Sequence, residues 1–228
     1  DIVIESTGKF TKYDDAKCHL DGGASKVIIS APCKDPDKVP LIVIGVNEDK
    51  VNPNDYKVIS NASCTTNCLA PTLKVLNDNF QVKRAFVTAV HAYTKSQMLM
   101  DGSHHKDPRK GRSATQSIIP TSTGAMASIG KVIRELSGKI EGLAVRVPIA
   151  TVSLLDIVCE VERNTTASEV NAIFEKISKE VKRGIVGFTM EPLVSADFRG
   201  DSHSTIVDGL STKVIGGNLI KILAWYDN

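Results

Sequence analysis

The stretch SNASCTTNCLAP, Ser60 to Pro71, sets Cys64 among small hydroxyl and amide residues, where a strand-like run passes into a helical pattern. A strand-to-helix turn aims backbone N–H groups and the positive end of the helix dipole at the first helical residue, which favours thiolate over thiol. Cys64 is therefore a candidate nucleophile, expected to be more acidic than a free thiol. Ser63, Thr65 and Thr66 bring hydroxyls to the same turn, suited to an anion or a developing oxyanion. Cys68 lies one helical turn deeper, in a geometry poorly suited to bridging back to Cys64. Pro71 is expected to kink the helix or delay its start.

A thiol nucleophile needs a base. His91 closes the apolar run AFVTAV and so lies at a strand end, where side chains face clefts. An imidazole beside a thiol can form an ion pair with it and exchange protons, although a histidine there can equally be tied to backbone alone. His104 and His105 fall in a charged loop, and His19 and His203 lack neighbours that suggest a task. Two further stretches suit anions. In PTSTGAM, Pro120 to Met126, Thr123 and Gly124 precede a helical run, as a phosphate cradle or as an ordinary cap. Arg146 sits inside the apolar strand LAVRVPIA, where a guanidinium needs an anion to meet.

The elements that must position these residues alternate. Ile2 to Glu5, Lys26 to Ser30, Pro40 to Val46 and Lys57 to Ser60 read as strands, with a short helix over Lys12 to Leu20. A helix is expected from Cys64 to Phe80, with Leu69, Leu73 and Leu76 on one face. Beyond it come a strand at Ala85 to Val90, a polar loop from Thr94 to Ser113 and a helix at Ala125 to Leu136. Further strands are expected at Gly142 to Val147, Val152 to Val161 and Leu219 to Trp225, and TTASEV caps a helix at Ala167 to Val181. The pattern is an α/β fold class: the tail of a parallel-sheet domain over residues 1–63, then an α+β domain with a large mixed sheet over 64–228.

Composition bounds the rest. The 228 residues, 42% hydrophobic and 24% charged, can bury a sizeable core. With 28 basic against 26 acidic residues the net charge is +2, and the run HHKDPRKGR lacks aromatic partners, so neither a nucleic-acid nor a membrane partner is indicated. No apolar run reaches the roughly 20 residues of a membrane span, and DIVIESTG has no secretory character. The five cysteines are odd in number, with no CxxC pair, which argues against a disulfide framework or zinc ribbon and for a reducing, cytoplasmic setting with no metal. A start in mid-strand without methionine and an end on WYDN read as a chain cut at both ends.

SNASCTTNCLAP, VHAYT, IIPTSTGA, VRVP and the terminal WYDN, in this order, resemble the phosphorylating glyceraldehyde-3-phosphate dehydrogenase family along essentially the whole chain. The resemblance implies a Rossmann-type cofactor domain, whose glycine-rich turn and ribose-binding acid would lie outside this sequence. It implies oxidation of glyceraldehyde 3-phosphate with NAD and inorganic phosphate to 1,3-bisphosphoglycerate, in glycolysis or gluconeogenesis, through a thioester on Cys64 with His91 as its acid–base partner. Thr94 and Arg146 would hold the substrate phosphate; Ser63, Thr65, Thr123 and Gly124 would hold the attacking phosphate. Ser6, Gly8, Ser30 and Asn228 match cofactor positions. The loop from Lys95 to Arg112 resembles a segment that reaches a neighbouring subunit's cofactor, implying a homotetramer. Lys95-Ser96 and Ile149-Ala150-Thr151 depart from the usual pattern at the substrate rim. Ser103 is a residue type found where NADP is also accepted, and NAD is the expected cofactor. The alternatives are an erythrose-4-phosphate dehydrogenase, a Cys-His thiol hydrolase, and a structural or RNA-associated protein with an inert thiol.

Overall fold

In a computed structural model, residues 1–181 and 184–228 are described. The chain opens with a three-stranded parallel sheet in the order β1-β2-β3: β1 is Ile2–Glu5, β2 Lys26–Ile29 and β3 Val58–Ser60. The helix α1, Tyr13–Asp21, connects the first two strands. Alternate residues of β2, Val27 and Ile29, are buried with Ala16, Val39 and Val58 as a small core. Ile2 and Ile4 of β1 remain 60% and 67% exposed.

The apolar run Pro40 to Val46, expected as a strand, is not one. Leu41 makes a single bridge to Ser60, and the chain then turns. The cause is Asn47, whose side chain accepts from the Val43 N–H (2.8 Å) and donates to the Leu41 carbonyl (2.9 Å). Gly45, at φ 82°, completes the turn in a conformation that favours glycine. The run is apolar because Val43 and Val46 pack into the large core rather than because they pair in a ladder.

The helix α2 runs Cys64–Phe80, the range expected. Ser63 caps it, its hydroxyl accepting from Thr66 N–H at 3.1 Å. Gln81, at φ 59°, ends it with its N–H on the Asn77 carbonyl. Pro71 lies inside the helix and does not delay its start. A helix buried along Leu69, Leu73, Leu76 and Phe80 is held by packing, which outweighs one missing backbone bond.

The remaining strands form a seven-stranded mixed sheet in the order β5-β6-β4-β7-β10-β9-β8. Their ranges are β4 Val82–Ala92, β5 Ile119–Thr121, β6 Ile140–Val147, β7 Ser153–Val161, β8 Val186–Thr189, β9 Thr205–Ile215 and β10 Leu219–Tyr226. One face, seen in the alternation Leu155, Ile157, Cys159, Val161, packs with α2, α3 (Ala125–Val132) and α4 (Ala167–Lys176) into the main core. Three of these strands, β5, β8 and β9, were not expected. In β9 the sequence Asp208-Gly209 breaks the apolar alternation. A Cβ on Gly209 would meet Met190 Sδ at 2.4 Å, so the strand carries glycine where neighbouring side chains cross it. The third helix is shorter than expected: α3 ends at Val132, and Arg134–Leu136 forms a separate 3₁₀ turn. After Lys176, α4 widens into a π turn over Ile177–Val181. Its start matches the expected cap, with Thr166 Oγ1 accepting from Glu169 N–H at 3.2 Å.

Two central strands set the chemistry. β4 and β6 are parallel, with Val87 opposite Gly142, Ala89 opposite Ala144 and His91 opposite Arg146. A Cβ on Gly142 would lie 2.0 Å from the Val87 carbonyl, so glycine permits this close approach. The register delivers an imidazole and a guanidinium side by side at the strand ends.

Candidate active site

Cys64 is the first residue of α2 and comes directly after a tight turn. Ala62 is held at φ 66°, a conformation costing a non-glycine residue about 1 kcal/mol. The turn is fixed by Ser60, whose Oγ donates to the Ala31 carbonyl (2.6 Å) and accepts from Ala62 N–H (3.2 Å). Strain of this kind is found at functional turns, and here it lies two residues before the candidate nucleophile. Cys64 Sγ, half-buried, lies 3.5 Å from His91 Nε2 and 4.0 Å from Thr65 Oγ1. His91 is buried at 5% exposure, and its Nδ1 lies 2.7 Å from the Ala92 carbonyl and 2.5 Å from Arg146 Nη1.

A cavity of about 340 Å³ surrounds this pair. It is lined by Ser63, Cys64, Thr65 and His91, by Thr94 and Arg146, by Thr123 and Gly124, and by Asn228. Nine of the residues picked from the sequence thus share one cavity. Cys64, Ser63 and Asn228 also line an adjoining cavity of about 300 Å³ that includes Ser30. Ser6 and Gly8 line neither; they sit in an exposed turn after β1, with Gly8 at φ 72°. A further cavity, about 580 Å³, lies on the sheet around Phe86, Val158 and Leu219 and pairs no nucleophile with a base.

The electrostatics correct one expectation. Burial pushes the Cys64 thiol up from its ordinary value, against hydrogen bonds from Thr65 and the charge of Arg146. The helix start does not by itself make this thiol acidic. Burial, then the Arg146 charge, pulls His91 down to about 4. Both shifts work toward the uncharged forms, thiol and imidazole. Cys159, buried in the core, is pushed up to about 12 by burial alone, and Cys68 higher still, so neither competes as a nucleophile.

Several contacts were not anticipated from sequence. Tyr226 is buried, its hydroxyl 3.0 Å from Thr65 Oγ1 and its ring edge-on to His91 at 6.0 Å between centroids. Ser153 Oγ accepts from Ala92 N–H (3.1 Å) and donates to Asn228 Oδ1 (2.8 Å), which fixes the orientation of that amide. The adjoining cavity also holds His203, whose Nδ1 is 2.7 Å from Asp201 Oδ1. The signal for Tyr226 was present: a phenol at the end of an apolar strand must find a polar partner. The contacts of Ser153 depend on strands and a chain end that lie far apart in sequence.

Thr94 Oγ1 bonds to Ser96 Oγ at 3.0 Å, and Thr123 Oγ1, one residue before the N-cap Gly124, accepts from the Ala125 N–H at the start of α3 at 3.2 Å while lining the cavity.

The chain is similar in sequence to known proteins. The model of the glyceraldehyde 3-phosphate dehydrogenase C-terminal domain matches residues 63–228. Glyceraldehyde-3-phosphate dehydrogenase 1 of Bacillus subtilis (strain 168) is 52% identical over 228 residues, all of this chain and 67% of the relative. The glyceraldehyde-3-phosphate dehydrogenase of Geobacillus stearothermophilus is 51% identical, and that of Oncorhynchus mykiss 46%, each over the same shares. This chain spans about two thirds of the length of those relatives. The family-model match over residues 63–228 and the identity of about half along the whole chain show that the chain belongs to the glyceraldehyde-3-phosphate dehydrogenase family.

Proposed function

We propose that the protein oxidises glyceraldehyde 3-phosphate, with inorganic phosphate and a nicotinamide cofactor, to an acyl phosphate. The observation that carries this reading is the 3.5 Å approach of Cys64 Sγ to His91 Nε2 inside a cavity that offers Arg146 and Thr94 together with Thr123 and Gly124. The thiol proton passes to Nε2 and the sulfur adds to the aldehyde carbon, giving a hemithioacetal. The Cys64 N–H at the start of α2 and the protonated imidazole donate to the oxygen as it gains charge. When bound, the nicotinamide supplies the hydride acceptor that makes a thioester accessible. An oxygen of inorganic phosphate then adds to the thioester carbonyl, and Cys64 leaves as thiolate.

The residues fit a nicotinamide. With its amide oxygen committed to Ser153, Asn228 offers N–H donors suited to a carboxamide, and it borders both cavities beside Cys64. Ser30, and the exposed turn with Ser6 and Gly8, would contact the rest of the dinucleotide, with NAD preferred over NADP. In this division residues 1–63 complete a cofactor domain and residues 64–228 form the catalytic domain. A homotetramer fits the exposed Phe86 on the open sheet face and Leu99 and Met100 in the 94–113 loop, which subunit contacts would cover. Five free cysteines suit a reducing cytoplasm. Among the described residues no helix is long and apolar enough to cross a membrane.

The test is phosphate-dependent reduction of NAD by glyceraldehyde 3-phosphate in the intact protein, with iodoacetate modification mapped by mass spectrometry. Activity lost in step with alkylation of Cys64 alone supports the reading. Faster turnover of erythrose 4-phosphate, or peptide hydrolysis, would replace it with one of the other activities considered.

A further inference from the structure

The turn that follows β1 is wound around one buried carboxylate. Glu5, the last residue of β1, is only 4% exposed, and an ionised carboxylate in such a place is costly unless donors meet its oxygens. Its Oε1 accepts from the Thr7 N–H at 2.7 Å and from the Thr7 hydroxyl at 2.5 Å. Its Oε2 lies 2.9 Å from His19 Nε2. A carboxylate can only accept, so that nitrogen carries a proton. Thr7 Oγ1 in turn accepts from the Lys9 N–H at 3.1 Å, and Gly8 takes φ 72°. Among the described residues no other hydrogen bond is made to residues 6–9, so this exposed turn takes its shape from Glu5.

His19 holds both ends of that turn. It stands in the last turn of α1, and besides reaching Glu5 it meets Phe10 edge-on, with 5.7 Å between ring centroids. Glu5 opens the turn and Phe10 follows it, so one imidazole clasps the chain before and after residues 6–9. Burial pushes the Glu5 carboxyl up, but the Thr7 hydroxyl, His19 and the Thr7 N–H together hold it below its ordinary value, which keeps it ionised at neutral pH. The Thr7 hydroxyl is spent on this scaffold. Ser6 is thereby left as the turn's uncommitted hydroxyl.

We propose that Glu5 and His19 are positioning residues for the dinucleotide: the Glu5 carboxylate winds residues 6–9 into the shape that meets the cofactor, and His19, gripping Glu5 and Phe10, keeps that shape before the cofactor arrives. An exposed turn without such a clasp would be ordered only on binding, and the ordering would be subtracted from affinity. The effect belongs to cofactor affinity and not to the chemical step, because Cys64 and His91 stand on α2 and β4, which the clasp does not touch. The inference rests on the reading that the turn with Ser6 and Gly8 contacts the dinucleotide, and its test separates the two.

The test compares the intact protein with His19→Leu, which removes the donor, and His19→Gln, whose amide nitrogen takes the place of Nε2. Titration calorimetry with NAD should give a dissociation constant about tenfold weaker for His19→Leu and within about twofold of the parent for His19→Gln. Steady-state kinetics should show the same split, with KM for NAD raised in the leucine variant and kcat at saturating NAD moved by less than about twofold. Hydrogen exchange at the Thr7 amide, measured without cofactor, should quicken about tenfold in His19→Leu and return to the parent's rate in His19→Gln. Glu5→Gln, which turns an amide N–H toward one of the donors, should weaken NAD binding by a similar factor. The parent's dissociation constant in His19→Leu, an unchanged Thr7 exchange rate, or equal behaviour of the leucine and glutamine variants overturns the proposal. A lower melting temperature in His19→Leu with NAD affinity kept also overturns it, since the contact then only holds α1 to β1. A parent protein that binds no NAD overturns the function itself, whereas one that reduces NAD beside an unaffected His19→Leu keeps its function and loses the clasp.

Discussion

The two sheets of this molecule differ in how deeply they bury their residues, and the chemistry tracks that difference. The three-stranded sheet of residues 2–60 has a core of five fully buried side chains and leaves Ile2 and Ile4 open. The seven-stranded sheet shares a continuous core with α2, α3 and α4, from Leu69 and Phe80 to Phe174 and Ile222. Cys64, His91 and Arg146 all project from elements anchored in the thick core. Reacting atoms must be held to within about half an ångström, and only close-packed elements do that. The thin region supplies Ser6, Gly8 and Ser30, three of the four residues suggested for a dinucleotide, which needs a surface more than a fixed point.

The sharpest way to break the comparison is catalysis. Cys64→Ser should reduce phosphate-dependent NAD reduction by about 10⁴-fold, because a hydroxyl beside His91 is a far weaker nucleophile. Ser6→Ala in the thin region should change KM for the cofactor and leave the alkylation rate of Cys64 unaltered. A loss of kcat from Ser6→Ala equal to that from Cys64→Ser would mean the two regions share the chemistry.

Packing gives the next effect in size. Leu73→Ala, within the thick core, should cost about 3–5 kcal/mol, whereas Ile29→Ala in the thin one should cost about 2, since a shallow site collapses more readily around the cavity. Both side chains have no exposed surface, so burial alone predicts equal costs. Equal values from urea denaturation would refute the distinction between the sheets.

Much of this arrangement was legible in the sequence, and the gaps have physical causes. The helix Cys64–Phe80 could be read because cap, apolar face and length agree. Cys64, His91 and Arg146 could be chosen because each is a reactive or charged residue where an apolar element ends or runs. The run at Pro40 misled because an apolar segment looks alike whether it pairs in a ladder or packs beneath a helix. The long strand β9 was hidden by Asp208-Gly209, which only its neighbours Phe188 and Met190 explain. The direction of the thiol's shift could not be read at all. A helix start can be seen in sequence, whereas the burial that outweighs it here belongs to the assembled cleft.

The regions should also lose stability over different pH ranges. His91 is held down to about 4 in the folded protein against 6.5 for a free imidazole. The unfolded chain therefore binds a proton first as pH falls, and the native state's advantage, complete above about pH 6.5, disappears between there and about pH 4. Its size is up to about 3 kcal/mol. Glu5, in the thin sheet, behaves differently. Burial works upward on its carboxyl, but bonds from the Thr7 hydroxyl, His19 and the Thr7 N–H together hold it below its ordinary value of 4.5. Its contribution is present above that value and is lost only as pH falls through the lower folded one. Replacing His91 by Asn should flatten the stability profile between pH 6.5 and 4, and Glu5→Gln should cost stability above about pH 4.5 and flatten the profile only below it. An unchanged upper limb in the His91 variant would show that the imidazole is solvated.

The smallest effect concerns the junction between the regions. Ser63→Ala removes the cap of α2, costing about 1 kcal/mol, because the Thr66 N–H loses its acceptor at a partly buried helix start. Asp78→Ala, which breaks the exposed pair with Lys74 on the same helix, should cost no more than about 0.5 kcal/mol. The contrast separates a contact that fixes where the helix begins from one that merely decorates it. Since Cys64 comes directly after the cap, Ser63→Ala should also slow alkylation of the thiol by loosening its approach to His91, while Asp78→Ala leaves that rate alone. Equal effects of the two variants on the alkylation rate would mean that the start of α2 is held by the thick core and not by its cap.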